Sequence, residues 1–319
     1  MMVTVIELFG GIGAFTEALR QLNLDYKIED YVEIDKFAVA SYNAINNTKY
    51  EPRDIQEYSY TGTKDIDIII HGSPCQDFST AGRQAGGDQG TGTKSSLMYE
   101  SIRIIKEINP KIVIWENVKN LLSKRHVHNF ENYLKTMEEL GYTNHYKVLN
   151  AKEHGIPQNR ERVFTISIRT DSKIQFSMPE PVELTTYLTD ILEDEVDDKY
   201  YVKSIEKGAY ARKFGSRGKI QNKEYCDTLV QVMGTGGGNV PLIVNNEKLR
   251  KLTPKECWRL MGFTDQSFEK ARAVNSDSQL YRQAGNSIVE NVLKEIIKKI
   301  EKYERTIIMN IIEKNITDI

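Results

Sequence analysis

Cysteine is scarce in this sequence: Cys75, Cys226 and Cys257 are the only three in 319 residues, odd in number and far apart. No CxxC pair or Cys/His ligand spacing occurs, which excludes the usual zinc patterns and a disulfide framework, and no metal is expected. No apolar run approaches the ~18–20 residues that a membrane-spanning helix needs. The opening MMVTVIELFGG carries neither a basic segment nor a long apolar one, so it reads as a first strand rather than a signal peptide. A cytoplasmic chain, with no membrane association, is the expectation. Basic excess is missing too: the formal net charge is −2, so any affinity for nucleic acid must come from a local patch. No internal repeat at periods of roughly 20–50 residues is found. What remains, 39% apolar and 28% charged residues, is the composition of an ordinary globular enzyme of one large or two smaller domains.

The first half alternates short apolar runs with helical patterns. Strands are predicted at Val3–Phe9, Lys27–Ile34, Asp65–His71, Lys111–Asn117 and Arg162–Ile168, and helices at Ala14–Leu22, Phe37–Ile45, Leu97–Ile108 and Asn129–Leu140. Near-continuous β-branched runs are those of strands covered on both faces, so the prediction is a doubly wound α/β domain with a parallel sheet. After Arg169 the pattern changes. Pro179 to Asp198 is acidic without a basic residue, and Lys203 to Lys223 holds seven Lys or Arg against one Glu. Such blocks are either solvated faces or a sorted binding surface. LVQVMGTGGGNVPLIV follows, two apolar runs around Gly234–Asn239; RKLTPKECWRLMGF and the tail from Ser287 onward read as helical, with Cys257 and Trp258 in the core.

ELFGGIGAF places Phe9, Gly10, Gly11, Ile12 and Gly13 between the first strand and first helix, where glycines allow a tight turn and close approach of a ligand. Glu33, twenty residues after Gly13, ends the second strand, where a carboxylate can take both ribose hydroxyls, and Asp54 could accept from an adenine amino group. Thr16 stands where a strict G-x-G-x-x-G needs glycine, which disfavours a dinucleotide fold. GDQGTGTKSS misses a phosphate-loop motif because Thr93 separates Gly92 from Lys94. The loop alone leaves nucleoside binding and a plain tight turn both open.

DIIIHGSPCQDFSTAG sets Cys75 just beyond a strand's carboxyl end, where open α/β sheets build their sites. Glu116 and Asn117 end the next strand, and Arg160 and Arg162 in GIPQNRERVF alternate on one face of an extended segment. Singly, these read equally well as a buried thiol, a capping acid and a solvated strand edge. Together they converge on one rim.

ELFGGIGAF, GSPCQDFS, ENV, QNRERV, RKLTPKECWRLMGF and QAGNSIVENV, in this order, resemble the motifs of the cytosine-C5 DNA methyltransferases, leaving only about Asp171–Leu249 unmatched. The resemblance implies a Rossmann-like methyltransferase sheet using S-adenosylmethionine, with a smaller target-recognition domain: residues 1–171 and 283–319 catalytic, 172–282 for target recognition and hinge. It implies Cys75 as nucleophile at cytosine C6, Glu116 at N3, Arg162 at O2 and Arg160 beside the developing charge. For the cofactor it implies Phe9, Gly11, Ile12, Gly13, Glu33, Ile34, Asp54 and Ile55, with Gly72, Pro74 and Leu97 at the methionine end and Asn286 and Ser287 closing the pocket. Ala14 replaces the family's final loop glycine, which softens the contact expected there.

The implied substrate is double-stranded DNA with the cytosine flipped out. Gln76 would sit beside the flipped base, and Arg83 and Lys94 belong to a glycine-rich lid, Gly82–Ser96. Lys203, Lys207, Arg212, Lys213, Arg217, Lys219 and Lys223 would meet phosphates, and Gly234, Gly236, Gly237 and Asn239 would enter a groove. A monomer of a bacterial or phage modification system, with or without a separately acting restriction endonuclease, is expected. Three other readings differ by sequence. A tRNA cytosine methyltransferase would carry Pro-Pro-Cys and Cys-Phe-Thr, whereas this chain has Ser73-Pro74 and Cys226-Asp227-Thr228. A silent DNA-binding protein need not retain Cys75, Glu116, Arg160 and Arg162 together. A nicotinamide-dependent dehydrogenase lacks its third glycine, and its nearest candidate proton relay, His154, is weak.

Overall fold

The computed structural model describes residues 2–62, 65–74, 78, 93–202, 220–221, 224–235, 239–245 and 248–300. A six-stranded sheet is built from β1 (Val3–Leu8), β2 (Tyr26–Val32), β3 (Ile68–His71), β4 (Ile112–Val118), β5 (Tyr142–Asn150) and β7 (Glu161–Arg169), in the order β2-β1-β3-β4-β7-β5. The two-residue β6 (Gln158–Asn159) lies outside it. β2, β1, β3 and β4 are parallel. β7 runs against both β4 and β5, so the sheet is parallel through four strands and antiparallel at its β7–β5 end. β5 was not predicted. It is an edge strand whose middle is only half-buried, and YTNHYKVLN has no continuous apolar run to announce it.

Side chains alternate across the strands and feed two cores. Val5, Ile68, Ile70, Ile112, Ile114 and Ile166 join one. Ile6, Ile69, Val113, Trp115 and Val163 join the other. The first is covered by α1 (Ala14–Gln21), through Phe15 and Leu19, and by residues 292–300 of a C-terminal helix, α8 (residues 290–300). The second is covered by α3 (Met98–Ile108) and α4 (Val127–Glu139), through Ile104, Ile105, Phe130 and Tyr133. Each such side chain contributes about 1.5–3 kcal/mol when fully buried, so the sheet is secured on both faces. α2 (Lys36–Asn46) begins at Asp35, whose Oδ1 accepts from Phe37 N at 2.9 Å.

Beyond the sheet, β8 (Cys226–Asp227) pairs in parallel with β6, and β9 (Leu242–Asn245) with β10 (Lys248–Lys251) forms a hairpin. Three helices follow: α5 (Pro254–Arg259), α6 (Asp265–Arg272) and α7 (Asp277–Asn286). Thr-Pro-Lys-Glu starts α5 as a capping box, Thr253 and Glu256 each accepting from the other's backbone N–H. Cys257 and Trp258 are fully buried, and the indole Nε1 donates to Leu280 O at 3.0 Å. The chain thus leaves the six-stranded sheet after β7 and returns to it through α8.

Candidate active-site cleft

The turn from β1 into α1 is made by backbone of positive φ at Phe9 (52°), Gly11 (55°) and Gly13 (83°). Phe9 in this region is uncommon for a side-chain-bearing residue and belongs to the class of strained backbone that clusters at functional sites. Glu33 holds the turn: Oε2 accepts from Gly11 N at 3.0 Å and Oε1 from Asp35 N at 2.8 Å. Burial raises its pKa, while the two backbone donors oppose that rise. Beneath the loop lies Glu7, fully buried and accepting from Thr16 N and Thr16 Oγ1 at 2.9 and 2.5 Å. Burial pushes its carboxyl up to about 7. Sequence reasoning missed Glu7 because it sits inside an apolar strand, but Thr16, out of place for a dinucleotide motif, was its signal.

A cleft of about 1600 Å³ opens at the carboxyl ends of β1, β3 and β4. Phe9, Gly11, Ile12, Glu33, Ile34, Asp54, Ile55, Gly72, Pro74, Leu97, Asn286 and Ser287 all line it. Asp54 is fixed there by accepting from Gln56 N at 3.0 Å. Gly13 is not in the wall: its Cα faces the Tyr42 ring, and it serves the turn into α1. Lys94 and Asn239 line the cleft, whereas Gly234 lines an adjoining hollow of about 250 Å³. Cys75, Gln76, Arg83, Gly236, Gly237 and the seven basic residues from Lys203 to Lys223 lie outside the described residues. Gln221, Gln231, Thr235 and Arg282 also face the cleft. Nothing in their spacing announced them, because they arrive on irregular loops and on α7.

Glu116 and Arg162 come together through the antiparallel register of β4 and β7. Glu116 is opposite Phe164 and Val118 opposite Arg162, so the two side chains are diagonal neighbours on one face. Arg162 Nε lies 3.1 Å from Glu116 Oε1, with 17% and 12% of the two side chains exposed. Burial raises the Glu116 pKa, and Arg162 and then Arg160 pull it back. A methyl group added to Gly72 would lie 3.8 Å from Glu116 Oε2, so the end of β3 borders the carboxylate. Arg160 is placed differently. It is 3% exposed and donates to three carbonyls: Leu229 O at 2.9 Å, Ser287 O at 2.8 Å and Gly285 O at 3.2 Å. Gln158, fully buried, adds Nε2 to Leu260 O at 2.8 Å and accepts from Leu229 N at 3.0 Å. The QNRER segment therefore joins the sheet, the loop at Leu229 and the C-terminal segment at one point.

The sequence profile of C-5 cytosine-specific DNA methylases matches residues 3–302. The chain belongs to that family. Among its relatives, the type II methyltransferase M2.ScrFI of Lactococcus lactis subsp. cremoris is 32% identical over 94% of this chain and 99% of its own length. The type II methyltransferase M.HhaI of Haemophilus parahaemolyticus is 35% identical over 91% and 92%. The crystal structure of S. pombe Dnmt2 superposes with a TM-score of 0.76 at 22% identity, over 92% of this chain and 97% of that one, and shows the shared fold.

The family's methyl donor is S-adenosylmethionine, and the cleft fits it: a positive-φ glycine loop, a backbone-anchored carboxylate at Glu33 and apolar walls at Phe9, Ile12 and Ile55. Small-molecule pockets occupy roughly 300–1,000 Å³, so a cleft of about 1600 Å³ has room for a nucleotide beside the donor. Among the described residues, no group of three or more His, Cys, Asp or Glu is placed to hold a metal ion, and no helix is long and apolar enough to cross a membrane.

Proposed function

We propose that this cytosine-5 DNA methyltransferase binds double-stranded DNA at a short specific sequence, flips the target cytosine into the cleft and attacks C6 with Cys75. The observation that carries the reading is one cleft wall holding both the Glu116–Arg162 pair and the Glu33-anchored glycine loop. When bound, S-adenosylmethionine supplies an electrophilic methyl group. Phe9, Ile12, Glu33, Ile34, Asp54 and Ile55 hold its nucleoside, Gly72, Pro74 and Leu97 its methionine end, and Asn286 and Ser287 cover it.

Cytosine C5 is a poor nucleophile until the ring is made electron-rich. Addition of the Cys75 thiolate to C6 does this if N3 takes a proton, and Glu116, whose acid form is favoured by burial, is the donor. Arg162, held against Glu116, presents its remaining N–H groups to O2. Once C5 carries the methyl group and loses its proton to water, the Cys75–C6 bond breaks and the thiolate leaves. Arg160 donates from Nη1 and Nη2 to three backbone carbonyls, and we assign it to holding the arginine segment rather than to the developing charge.

Residues 1–171 with 283–319 form the catalytic domain and 172–282 the recognition domain and hinge, with Gln76, Arg83, Lys94, Gly234, Gly236, Gly237 and Asn239 toward DNA. The enzyme works as a cytoplasmic monomer in a modification system, alongside a separately acting endonuclease where one exists. Bisulfite sequencing of plasmid DNA from cells expressing the chain, beside a Cys75→Ala control, tests this. Protected cytosines in one recurring sequence, absent from the control, are expected. Protection nowhere in DNA, with methylated cytosine in tRNA from the same cells, would replace the substrate.

A further inference from the structure

A nucleophile carried on a loop has to be held to within a fraction of an ångström of its target, and the groups that hold it need not touch the substrate. Cys75 belongs to the four-residue connection between Ser73 and Phe78. Both ends of that connection are tied to one short stretch of chain, the end of β4 and the turn after it, which also carries Glu116. At the upstream end, Trp115 Nε1 donates to Ser73 Oγ at 3.0 Å and Asn117 Nδ2 to Ser73 O at 3.4 Å. Ser73, Trp115 and Asn117 are 3%, 1% and 1% exposed, so the bonds are shielded from water. At the downstream end, Asn120 Nδ2 donates to Phe78 O at 2.6 Å, and the fully buried Phe78 ring meets His126 edge-on with centroids 5.4 Å apart.

We infer that Ser73 with Trp115, and Phe78 with Asn120, are paired positioning contacts that fix the nucleophile's loop in the same frame as Glu116. Thiol and carboxylate must act on opposite positions of one ring, C6 and N3. Tying both flanks of that connection to the strand and turn that bear Glu116 gives thiol and carboxylate one common support. The inference rests on Cys75 being the nucleophile. Asn120 is the informative position because it is only half-buried and lines the cleft, so it can be changed without opening the core. Ser73 supplies the control of kind: Ser73→Thr keeps the hydroxyl that accepts from Trp115, and Ser73→Ala removes it.

The test uses the full chain, saturating S-adenosylmethionine and duplex DNA with 5-fluorocytosine at the methylated position found by bisulfite sequencing. Fluorine cannot leave C5 as a cation, so the elimination that frees Cys75 is blocked and the C6–S bond persists as a denaturation-resistant adduct. For Asn120→Ala, adduct formation should slow roughly 10–100-fold while the dissociation constants for DNA and cofactor stay within about twofold. Ser73→Ala should slow it similarly, and Ser73→Thr should restore the rate. Adduct formation by Asn120→Ala at the wild-type rate overturns the inference while leaving Cys75 as nucleophile. No adduct with the wild-type chain, under conditions where it binds that DNA, overturns the nucleophile reading and the inference with it.

Discussion

Arg160 and Arg162 stand two residues apart and are the same amino acid, yet the structure predicts opposite consequences for the same substitution. Lysine at 160 keeps the charge and loses the planar fork that reaches Leu229 O, Gly285 O and Ser287 O together. One ammonium can satisfy about one of the three. Two buried carbonyls are then left without a donor at about 1–3 kcal/mol each, so Arg160→Lys should cost roughly 2–6 kcal/mol of unfolding free energy, a large part of the ~5–15 kcal/mol that a chain possesses. Arg162 makes one ion pair at a partly solvated wall, and Arg162→Lys should cost about 1 kcal/mol or less. Its effect falls on turnover: a point charge that no longer bridges Glu116 and the base should lower kcat roughly 10–1,000-fold. Equilibrium urea unfolding and single-turnover methylation, run on both variants, separate the two. An Arg160→Lys protein as stable as wild type but inactive would refute the assignment and return Arg160 to the reacting charge, where the sequence alone had put it.

Other outcomes follow from the same contacts. Glu116→Gln keeps the shape but cannot give up a proton, so kcat should fall roughly 100–10,000-fold with DNA affinity intact, measured by gel shift beside single turnover. Gly285→Ala would set a methyl group 2.3 Å from Val230 C and O, backbone that cannot swing aside; a loss of about 1–3 kcal/mol is expected in thermal unfolding, and an unchanged melting temperature would contradict the packing at this joint. His71, fully buried and held by burial to a pKa of about 3, stays neutral in the folded protein while the unfolded chain binds a proton below about 6.5. Its contribution is therefore complete above pH 6.5 and lost progressively toward pH 3, and unfolding scans should show a His71-dependent acid limb there. Glu7 works in the opposite direction. Its raised pKa of about 7 means stability drains away as pH climbs from about 4.5 through 7, by about 3 kcal/mol, and Glu7→Gln should flatten that limb.

How much of this could be read beforehand depended on where each residue obtained its position. Residues that follow a strand were legible, because a β-branched run followed by glycine or a polar residue announces a rim: Phe9, Gly11, Glu33, Gly72 and Glu116 all reached the cleft wall. The two sheet faces were legible for the same reason, since burial on both sides leaves apolar residues at three of the four positions of β3 and at most of β4. The positions of Gln221, Gln231 and Thr235 were not legible, because irregular loops are fixed by tertiary contacts such as Gln158 to Leu229 N rather than by local pattern. Arg160 could not be sorted from Arg162 either: alternation placed both on one face, and only the approach of Leu229, Gly285 and Ser287 turns one of them inward.

The direction of β7 is a feature of the sheet that the sequence contained the means to foresee. The glycine loop and Gly72 come just after a strand and Glu116 lies near the carboxyl end of its own, whereas the two arginines come just before or at the start of theirs. Were β7 parallel to β4, Arg162 would lie at the sheet's opposite edge; Ile168 is six residues further on, so at about 3.3 Å per residue the displacement is roughly 20 Å. No side chain closes that gap. A site that needs a carboxylate and a guanidinium on one base must therefore reverse the strand that delivers the arginine, and the register of Glu116 with Phe164 shows that reversal made. Supplying the arginines from the start of a strand has a further consequence: the residues just before them, Gln158 and Asn159, remain at the same rim and are free to pair with Cys226 and Asp227. Strand reversal and the pairing of β6 with β8 are thus one structural decision, and an insertion between Asn159 and Arg162 would disturb both the Glu116–Arg162 pair and that pairing.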